Sequence, residues 1–470
     1  MFEYVERRVL RFHKNGDPRE VLQMEKEKFQ FKLEEGQVLI RWLCSPINPL
    51  DINIVQGVYA IQRELPAIGG SEAAGRVVKT HANSTLKQGD LVFPFISMSP
   101  NCWTDYSVAN EDQLVKVDSR IDPLMASTFS VNPCTAWQML RNFVEMNAGD
   151  WIIQNSANSG VGRSVIQLAK AWGIHSINIV RDRANIEKLK IELKHIGATH
   201  VFTEEEFAKN GRTFVREIVQ NTHGGTVKLA FNGVGGRSCL AIAGALARGG
   251  TLITYGGMSK KAHEFSTAQL VFNDIRVRGI ANGMWLMEGG HEEIVERMLK
   301  DLQELAVLGK LTPPPLDYHK IEDFKIAIEN SMDGKHGKQM FIFEKATDSG
   351  FTSSPTSFSS LSPNSSFSEF PNGSSTSAFY PYQPIEVEVY AQTVDAEPQK
   401  RRSKRRSANR GKYNGQIGRP PKYLTNLITV DVETQMNRHK HTDDVLRKRR
   451  QKLALETCRR KKDQDIQVIV

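Results

Sequence analysis

The sequence predicts an α/β protein in which a doubly wound parallel sheet follows a β-rich first part. Three observations carry this prediction. A strand, a glycine-containing turn, a helix and a second strand follow one another over residues 150–183. Two further strand-length runs, Lys228 to Phe231 and Gly250 to Tyr255, follow with a helical segment, Leu240 to Arg248, between them, as in a parallel sheet with right-handed crossovers. The first 130 residues instead hold short strand-length runs with glycines at the bends.

The first of these features reads DWIIQNSANSGVGRSVIQLAKAWGIHSINIVRDR. Gly160 and Gly162 allow the backbone to bend sharply and a ligand to approach it closely. Free N–H groups and the helix dipole favour an anion at the same point. The residues predicted to bind the pyrophosphate of a dinucleotide, in a Rossmann-type domain, are Ser159, Gly160, Val161 and Gly162. The turn alone leaves an ordinary strand-to-helix connection open.

The end of the second strand selects the cofactor. This strand, Ile177 to Val180, ends about 20 residues beyond the glycines, where an acidic side chain would bind the ribose hydroxyl of NAD. Arg181 and Arg183 flank Asp182 there instead. Two arginines suit a 2′-phosphate, so the predicted cofactor is NADPH, with Arg181, Asp182 and Arg183 at its site.

Length and composition limit the number of domains and exclude several classes of protein. A chain of 470 residues can hold two or three domains with sizeable cores. The five cysteines include no pair at CxxC spacing, which argues against a disulfide scaffold and a cysteine-rich zinc site. No apolar run approaches 18 residues, so we expect no transmembrane helix.

Charge divides the chain into parts with different chemistry. Residues 1–345 hold 41 Lys and Arg against 40 Asp and Glu, and residues 346–398 hold none against six. Residues 399–470 hold 21 against seven, a net charge of +14. Residues 346–398 are also rich in Ser and Pro, which is typical of a disordered linker.

Several long segments resemble one family. They are CSPINPLDINIVQGVYA (44–60), ELPAIGGSEAAGRVV (64–78), VNPCTAWQML (131–140), IIQNSANSGVGRSVIQLA (152–169), INIVRDR (177–183) and ARGGTLITYGGM (247–258). Over residues 1–344 the chain resembles the mitochondrial trans-2-enoyl-CoA reductases of the medium-chain dehydrogenase/reductase superfamily. The resemblance implies a GroES-like catalytic domain beside the Rossmann-type domain. It also implies NADPH-dependent reduction of enoyl thioesters of CoA or acyl carrier protein, the last step of type II fatty-acid synthesis.

The resemblance further implies site residues. Tyr59 matches the family's catalytic tyrosine, Asn132 its asparagine near the nicotinamide, and Lys338 its lysine near the carboxyl end. Tyr255, Gly256, Gly257 and Met258 end a predicted strand of the cofactor domain, where the topology of such sheets places ligands. The alternatives are a tyrosine packed under a loop, an Asn-Pro turn, ordinary turn glycines and a surface lysine. No set of three metal ligands can be named, so we expect no metal site.

The predicted organisation has five parts. Residues 1–136 and 282–345 form the catalytic domain, 137–281 the NADP-binding domain, 346–398 the linker and 399–470 a basic tail. The resemblance implies a homodimer and a mitochondrial location, although residues 1–12 read as a strand and not as a transit helix. A nuclear or cytosolic location stays open.

Three further expectations remain. Residues 278–282 (RGIAN) stand where the family has a bulky aromatic stretch, which puts the acyl-length preference in question. The tail holds KRRSKRR (400–406), an AT-hook-like GRPPK (418–422) and, over 447–465, a helix similar to a basic leucine zipper's DNA-contacting region. We expect non-specific nucleic acid contact from it, and the alternative is a solvated basic tail or a targeting signal. The alternatives to the reductase are a zinc-free quinone oxidoreductase and a DNA-binding regulator.

Overall fold

The computed structural model of the protein describes residues 3–95, 101–221, 225–334 and 337–343. Within these ranges the strands form sheets of three, six and seven strands. The predicted linker at 346–398 and the predicted tail at 399–470, with its nucleic acid contact, lie outside the described residues.

The first part of the chain is built of strands, as predicted. They are β1 (Glu3–Phe12), β2 (Leu22–Phe31), β3 (Gln37–Pro46), β4 (Ala67–Ile68), β5 (Ala74–Thr80), β6 (Leu91–Pro94), β7 (Tyr106–Asn110) and β8 (Leu114–Lys116). The three-stranded sheet has the order β2-β1-β4, and β3 lies at the centre of the seven-stranded sheet, between β5 and β7. Most of β3 is buried, which matches its apolar run VLIRWLC.

The middle of the chain forms the six-stranded sheet. Its strands are β9 (Trp151–Gln154), β10 (His175–Val180), β11 (His200–Thr203), β12 (Val227–Asn232), β13 (Thr251–Thr254) and β14 (Arg276–Gly279). They are parallel, in the order β11-β10-β9-β12-β13-β14. The order reverses beside β9, where the topology of such sheets places a ligand at the carboxyl ends of the strands.

Helices connect these strands. In the described ranges they are α1 (Pro18–Val21), α2 (Pro49–Gln56), α3 (Pro123–Ala126), α4 (Asn132–Arg141), α5 (Gly160–Ala171), α6 (Ile186–Ile196), α7 (Glu204–Asn221), α8 (Gly236–Ala243), α9 (Thr267–Val271), α10 (Asn282–Glu288), α11 (Glu292–Val307) and α12 (Phe324–Asp333). Two short 3-10 helices, Glu111–Gln113 and Ile321–Asp323, complete the set.

Side chains of the parallel strands alternate between two cores. Ile152 of β9 packs in one core with Val165 and Leu168 of α5, whereas the next residue, Ile153, packs in the other with Val215 of α7. Because successive side chains of a strand point to opposite faces, both faces of the sheet are apolar and both are covered by helices. The predicted doubly wound architecture is confirmed.

The end of the described chain returns to the first part. Strand β16 (Lys338–Ile342) pairs with β3, so that Met340 lies opposite Pro46, and β15 (Leu316–Lys320) pairs with β16. Helix α4 runs through the predicted boundary between residues 136 and 137 and packs against α5 and α11. The exact domain limits therefore stay a prediction.

One predicted element is displaced. The helical pattern at Leu240 to Arg248 belongs to α8, which begins at Gly236 and ends at Ala243. Gly235 and Gly236, with φ of 88° and 54°, make the turn that starts the helix early. Gly244 follows its last residue, and Gly249 with φ of 76° turns the chain into β13.

Candidate active site

The predicted phosphate turn lies between β9 and α5. The hydroxyl of Ser159 accepts a hydrogen bond from the Gly162 backbone N–H at 3.1 Å and so caps the helix. A β-carbon at Gly162 would lie 2.6 Å from the carbonyl oxygens of Ser156 and Ala157. Only glycine fits at position 162. Because it has no side chain, α5 can begin directly after the turn. The N-terminus of α5 therefore faces the carboxyl edge of the sheet with unpaired backbone donors available to an anion.

Asn132 brings the catalytic part to this turn. It is the first residue of α4, and a β-carbon at Gly160 would lie 2.8 Å from its carboxamide carbon. The side chain is buried, yet its Nδ2 has no hydrogen-bond partner among the described residues. A buried unpaired amide N–H costs free energy, so its retention here indicates a ligand that accepts the bond.

The arginines form a positive cluster after β10. Arg181 is exposed, Arg183 is partly buried, and the Arg183 Nε is buried without a partner in the described part of the chain. Burial lowers the pKa of Arg183, and the charges of Arg181 and Arg163 lower it further. Among the residues that the structure describes, the Asp182 side chain forms no ion pair with the cluster; its carboxylate accepts the Arg183 backbone N–H at 2.8 Å.

Tyr255 directly follows β13, which is separated from β9 by β12 in the sheet. A β-carbon at Gly233 would lie 2.7 Å from its phenol oxygen, which is buried and close to the hydroxyls of Ser159 and Ser156. Burial raises the pKa of Tyr255 to about 12. The backbone N–H of Met258 donates to the Gly233 carbonyl at 3.1 Å, while the Met258 side chain and Gly257 are exposed and Gly256 is partly buried.

Tyr59 lies in the catalytic part, just after α2. Gly57 ends this helix in the left-handed conformation, with φ of 75°, and the Tyr59 backbone N–H then bonds to the Asn53 carbonyl at 3.2 Å. The ring is partly buried against the core of the first part. Burial raises the pKa of the Tyr59 phenol, and the nearby Asp51 carboxylate raises it further.

Lys338 opens β16 and is partly buried. Its Nζ donates a hydrogen bond to the Asn48 Oδ1 at the start of α2. Burial lowers the pKa of Lys338, whereas the carboxylates of Glu72 and Asp51 act in the opposite direction.

The predicted residues therefore fall into two groups. Ser159 to Gly162, Arg181 to Arg183 and Tyr255 to Met258 belong to the parallel sheet, and Tyr59 and Lys338 to the catalytic part; Asn132 contacts the first group.

The family comparisons agree with this division. A family model described as "Alcohol dehydrogenase GroES-like domain" matches residues 34–119, and one described as "Zinc-binding dehydrogenase" matches residues 160–304. The mitochondrial enoyl-[acyl-carrier-protein] reductase of Caenorhabditis elegans is 51% identical over 342 residues, which are 73% of this chain and 97% of that protein. The chain belongs to the enoyl-[acyl-carrier-protein] reductase family.

Solved structures of such reductases share the fold. The mitochondrial 2-enoyl thioester reductase Etr1p/Etr2p heterodimer from Candida tropicalis has a TM-score of 0.67 at 29% identity, covering 72% of this chain and 100% of its own. The Etr1p/NADP/crotonyl-CoA complex has a TM-score of 0.66 at 28% identity, with the same coverage.

The residues of this family member fit NADP. Gly160 and Gly162 let the turn pack closely against Asn132 and against the carbonyl oxygens of Ser156 and Ala157, and the first backbone N–H groups of α5 can bind a pyrophosphate. The unpaired donors of Asn132 and Arg183 lie at the two places where the sequence predicts the nicotinamide and the 2′-phosphate. Within the described ranges, no group of three His, Cys, Asp or Glu side chains could hold a metal ion, and no helix is long and apolar enough to cross a bilayer.

Sequence reasoning missed several buried polar residues of the site. Glu72, Asn48 and Asp51 are all buried and bond to one another or to the segment before α4. Their only signal was an acid within the small, apolar run GGSEAAG and an Asn-Pro at a helix start. Arg163, which follows Gly162, also joins the arginine cluster and pairs with Glu192 at 3.1 Å.

The unusual segment after β14 contacts the same region. The Nδ2 of Asn282 donates to the Ser130 carbonyl at 3.1 Å, and its Oδ1 accepts a bond from Gln138. Trp285 is buried and stacks on His291 with ring centroids 4.2 Å apart. The effect on acyl-length preference stays a prediction.

Proposed function

We propose that the protein reduces trans-2-enoyl thioesters of CoA or acyl carrier protein to saturated acyl thioesters with NADPH. The observation that carries the proposal is the contact between Asn132 and Gly160. It brings the phosphate turn against the start of α4, and hydrogen bonds through Glu72 and Asn48 connect that start to Lys338. The 51% identity to a reductase over 342 residues supports the same conclusion.

The unpaired donors of Asn132 and Arg183 support one placement of the cofactor. Arg181 and Arg183 would bind the 2′-phosphate, Ser159 to Gly162 the pyrophosphate, and Tyr255 to Met258 the segment beyond it. The Asn132 Nδ2 would donate to the nicotinamide carboxamide, with Lys338 on the same side. NADPH supplies the hydride that is added to the β-carbon of the enoyl group.

The protein's own task is then to deliver a proton and to orient the thioester. Addition at the β-carbon leaves negative charge on the thioester oxygen and a proton to be placed on the α-carbon. Tyr59 is a suitable acid because its phenol is partly buried and its raised pKa keeps it protonated through neutral pH.

The test compares two substrate classes on the full-length protein. NADPH consumption is followed with crotonyl-CoA, with hexenoyl-CoA and with a panel of quinones. We expect turnover of the thioesters and little turnover of the quinones. Reduction of quinones alone would replace this proposal with the quinone oxidoreductase alternative.

A second copy of the chain is the partner that the six-stranded sheet favours. Its last strand, β14, lies at an edge, and all four of its residues are exposed. Phe272, just before it, is 74% exposed. An open edge strand with apolar neighbours invites pairing, and a two-fold axis would place β14 against its own copy.

We also propose a mitochondrial location, on the names of the relatives alone.

A further inference from the structure

A cluster of buried polar side chains lies beneath the Asn132–Gly160 contact. Glu72 is 0% exposed, Asn48 is 1% exposed and Asp51 is 2% exposed. Glu72 lies two residues before β5, which belongs to the seven-stranded sheet. A carboxylate at such depth is costly unless several donors surround it, so its bonds indicate why it is kept.

One carboxylate oxygen holds the segment that leads into α4. The Glu72 Oε1 accepts the Val131 backbone N–H at 2.9 Å and the Ser130 hydroxyl at 3.2 Å. Val131 is the residue before Asn132, so this bond ties the carboxylate to the first turn of α4. Negative charge at a helix N-terminus is favourable because the first N–H groups have no partner within the helix.

The other oxygen holds the start of α2. The Glu72 Oε2 accepts a bond from the Asn48 Nδ2 at 2.8 Å. The opposite end of the same carboxamide, Oδ1, accepts the bond from the Lys338 Nζ. Lys338 thus decides which way the Asn48 amide faces, because an ammonium group can only donate.

We infer that Glu72 is a positioning residue of the reduction, whose carboxylate sets Asn132 and Lys338 at a fixed separation beside the nicotinamide end of the cofactor. The inference rests on the proposed function. It explains why an acid is kept where a well-packed apolar side chain would stabilise the fold as well. It also explains how Asn132 can keep its Nδ2 free, because the backbone at Ser130 and Val131 is held by Glu72 and by Asn282 and not by Asn132 itself.

Replacing the Glu72 carboxylate with a carboxamide should break the hydrogen bond between Asn48 and Lys338. In Glu72→Gln the side-chain oxygen would keep the fixed Val131 N–H, which leaves the new NH₂ group facing the Asn48 NH₂ group. If the Asn48 amide flips, its NH₂ group faces the Lys338 ammonium and the bond to Lys338 is lost. If it does not flip, the NH₂ groups of residues 48 and 72 face each other without an acceptor. Loss of a hydrogen bond to a charged group should weaken NADPH binding about tenfold or more.

The second variant exchanges the carboxylate and the carboxamide between positions 72 and 48, which should restore the hydrogen bonds between these two side chains and to Lys338. In Asn48→Asp/Glu72→Gln, the NH₂ group of the new carboxamide would donate to one oxygen of the new carboxylate, and the other oxygen of that carboxylate would accept from Lys338. Every bond of the wild-type arrangement then has a counterpart with the same number of heavy atoms. We expect the NADPH affinity to return to within about threefold of the wild type.

Asp150 supplies a matched control. It is also buried, and its carboxylate accepts the Asn147 backbone N–H at 2.7 Å and the Lys228 Nζ at 2.8 Å, at the opposite end of the parallel strands. Asp150→Asn should lower the melting temperature and leave the NADPH affinity unchanged.

The measurements are the dissociation constant for NADPH, from its fluorescence on the full-length protein, and the Michaelis constants and kcat with crotonyl-CoA. A merely structural loss reduces the active fraction and so lowers kcat alone. Positioning predicts a raised Kd and KM for NADPH with the KM for crotonyl-CoA changed less than about twofold.

Two results would overturn the inference: NADPH affinity of Glu72→Gln within a factor of two of the wild type, or an exchange variant as weak as the single variant. Wild-type protein that binds NADPH and reduces no thioester would instead overturn the proposed function, while the affinity comparison would still decide the role of Glu72.

Discussion

The side chain of Asn132 lies so close to Gly160 that a β-carbon at position 160 would come within 2.8 Å of the Asn132 carboxamide carbon. Real β-carbons do not approach other atoms so closely, so any side chain at 160 must displace Asn132. The contact brings the start of α4 against the predicted phosphate turn, and it is open to a direct test.

Gly160→Ala should move Asn132 and raise the KM for NADPH about tenfold or more, because the buried Nδ2 donor leaves its place. Gly283→Ala is the control, since a β-carbon there meets nothing within 4 Å. Steady-state kinetics of both variants decide the matter. Equal KM values for NADPH in the two would mean that Asn132 does not contact the cofactor.

The arginine cluster should discriminate between the two nicotinamide cofactors. Arg181→Ala/Arg183→Ala removes two charge-assisted bonds to a 2′-phosphate, each worth about 1.5–3 kcal/mol, and should raise the KM for NADPH at least tenfold. NADH, which lacks that phosphate, serves as the control on the same variant, and its KM should hardly change. A parallel rise for both cofactors would point to general damage of the turn.

Tyr59→Phe should retain NADPH binding and lose turnover. General acid catalysis is worth about 10²–10⁴-fold, so kcat should fall by that order. Tyr318→Phe, at an exposed tyrosine of β15, is the control. Turnover of Tyr59→Phe within a factor of two of the wild type would mean that the proton comes from another source.

The raised pKa of Tyr59 also predicts the shape of the pH profile. A phenol serves as an acid only while it is protonated, and burial extends that range above its ordinary value near 10. With Tyr59 as the acid, kcat should stay level through neutral pH and fall as the pH rises through the raised pKa. The same fall in Tyr59→Phe would assign it to a different group.

The open edge of the six-stranded sheet predicts the oligomeric state. Val277, which is 43% exposed in the middle of β14, would be buried by a second copy. Val277→Asp should therefore convert a dimer into a monomer in sedimentation velocity, because a buried unpaired carboxylate opposes association. Tyr318→Asp, on the edge strand of the seven-stranded sheet, should stay dimeric. Dissociation by Tyr318→Asp instead would place the interface at that edge.

The sequence by itself determined the features that depend on neighbours along the chain. Strand β9, the glycine turn, α5 and β10 could be predicted because hydrophobic periodicity, a helix cap and glycine conformations are local properties. The cofactor choice was predictable for the same reason, since Arg181 and Arg183 directly follow a strand whose end must face the ligand. The start of α8 was not, because its pattern of apolar residues does not show that Gly235 and Gly236 turn the chain so early.

Only the tertiary structure decided how the site is assembled. Val131 bonds to a carboxylate 59 residues away, and Lys338 bonds to Asn48 across 290 residues. No local pattern encodes such pairs, because they arise when β16 joins β3 and when the segment before α4 packs beside the residues that precede β5. A buried Glu within an apolar run has no meaning in the sequence until its donors are known. The fold brings those donors to Glu72, which bonds to Val131 beside Asn132 and, through Asn48, to Lys338.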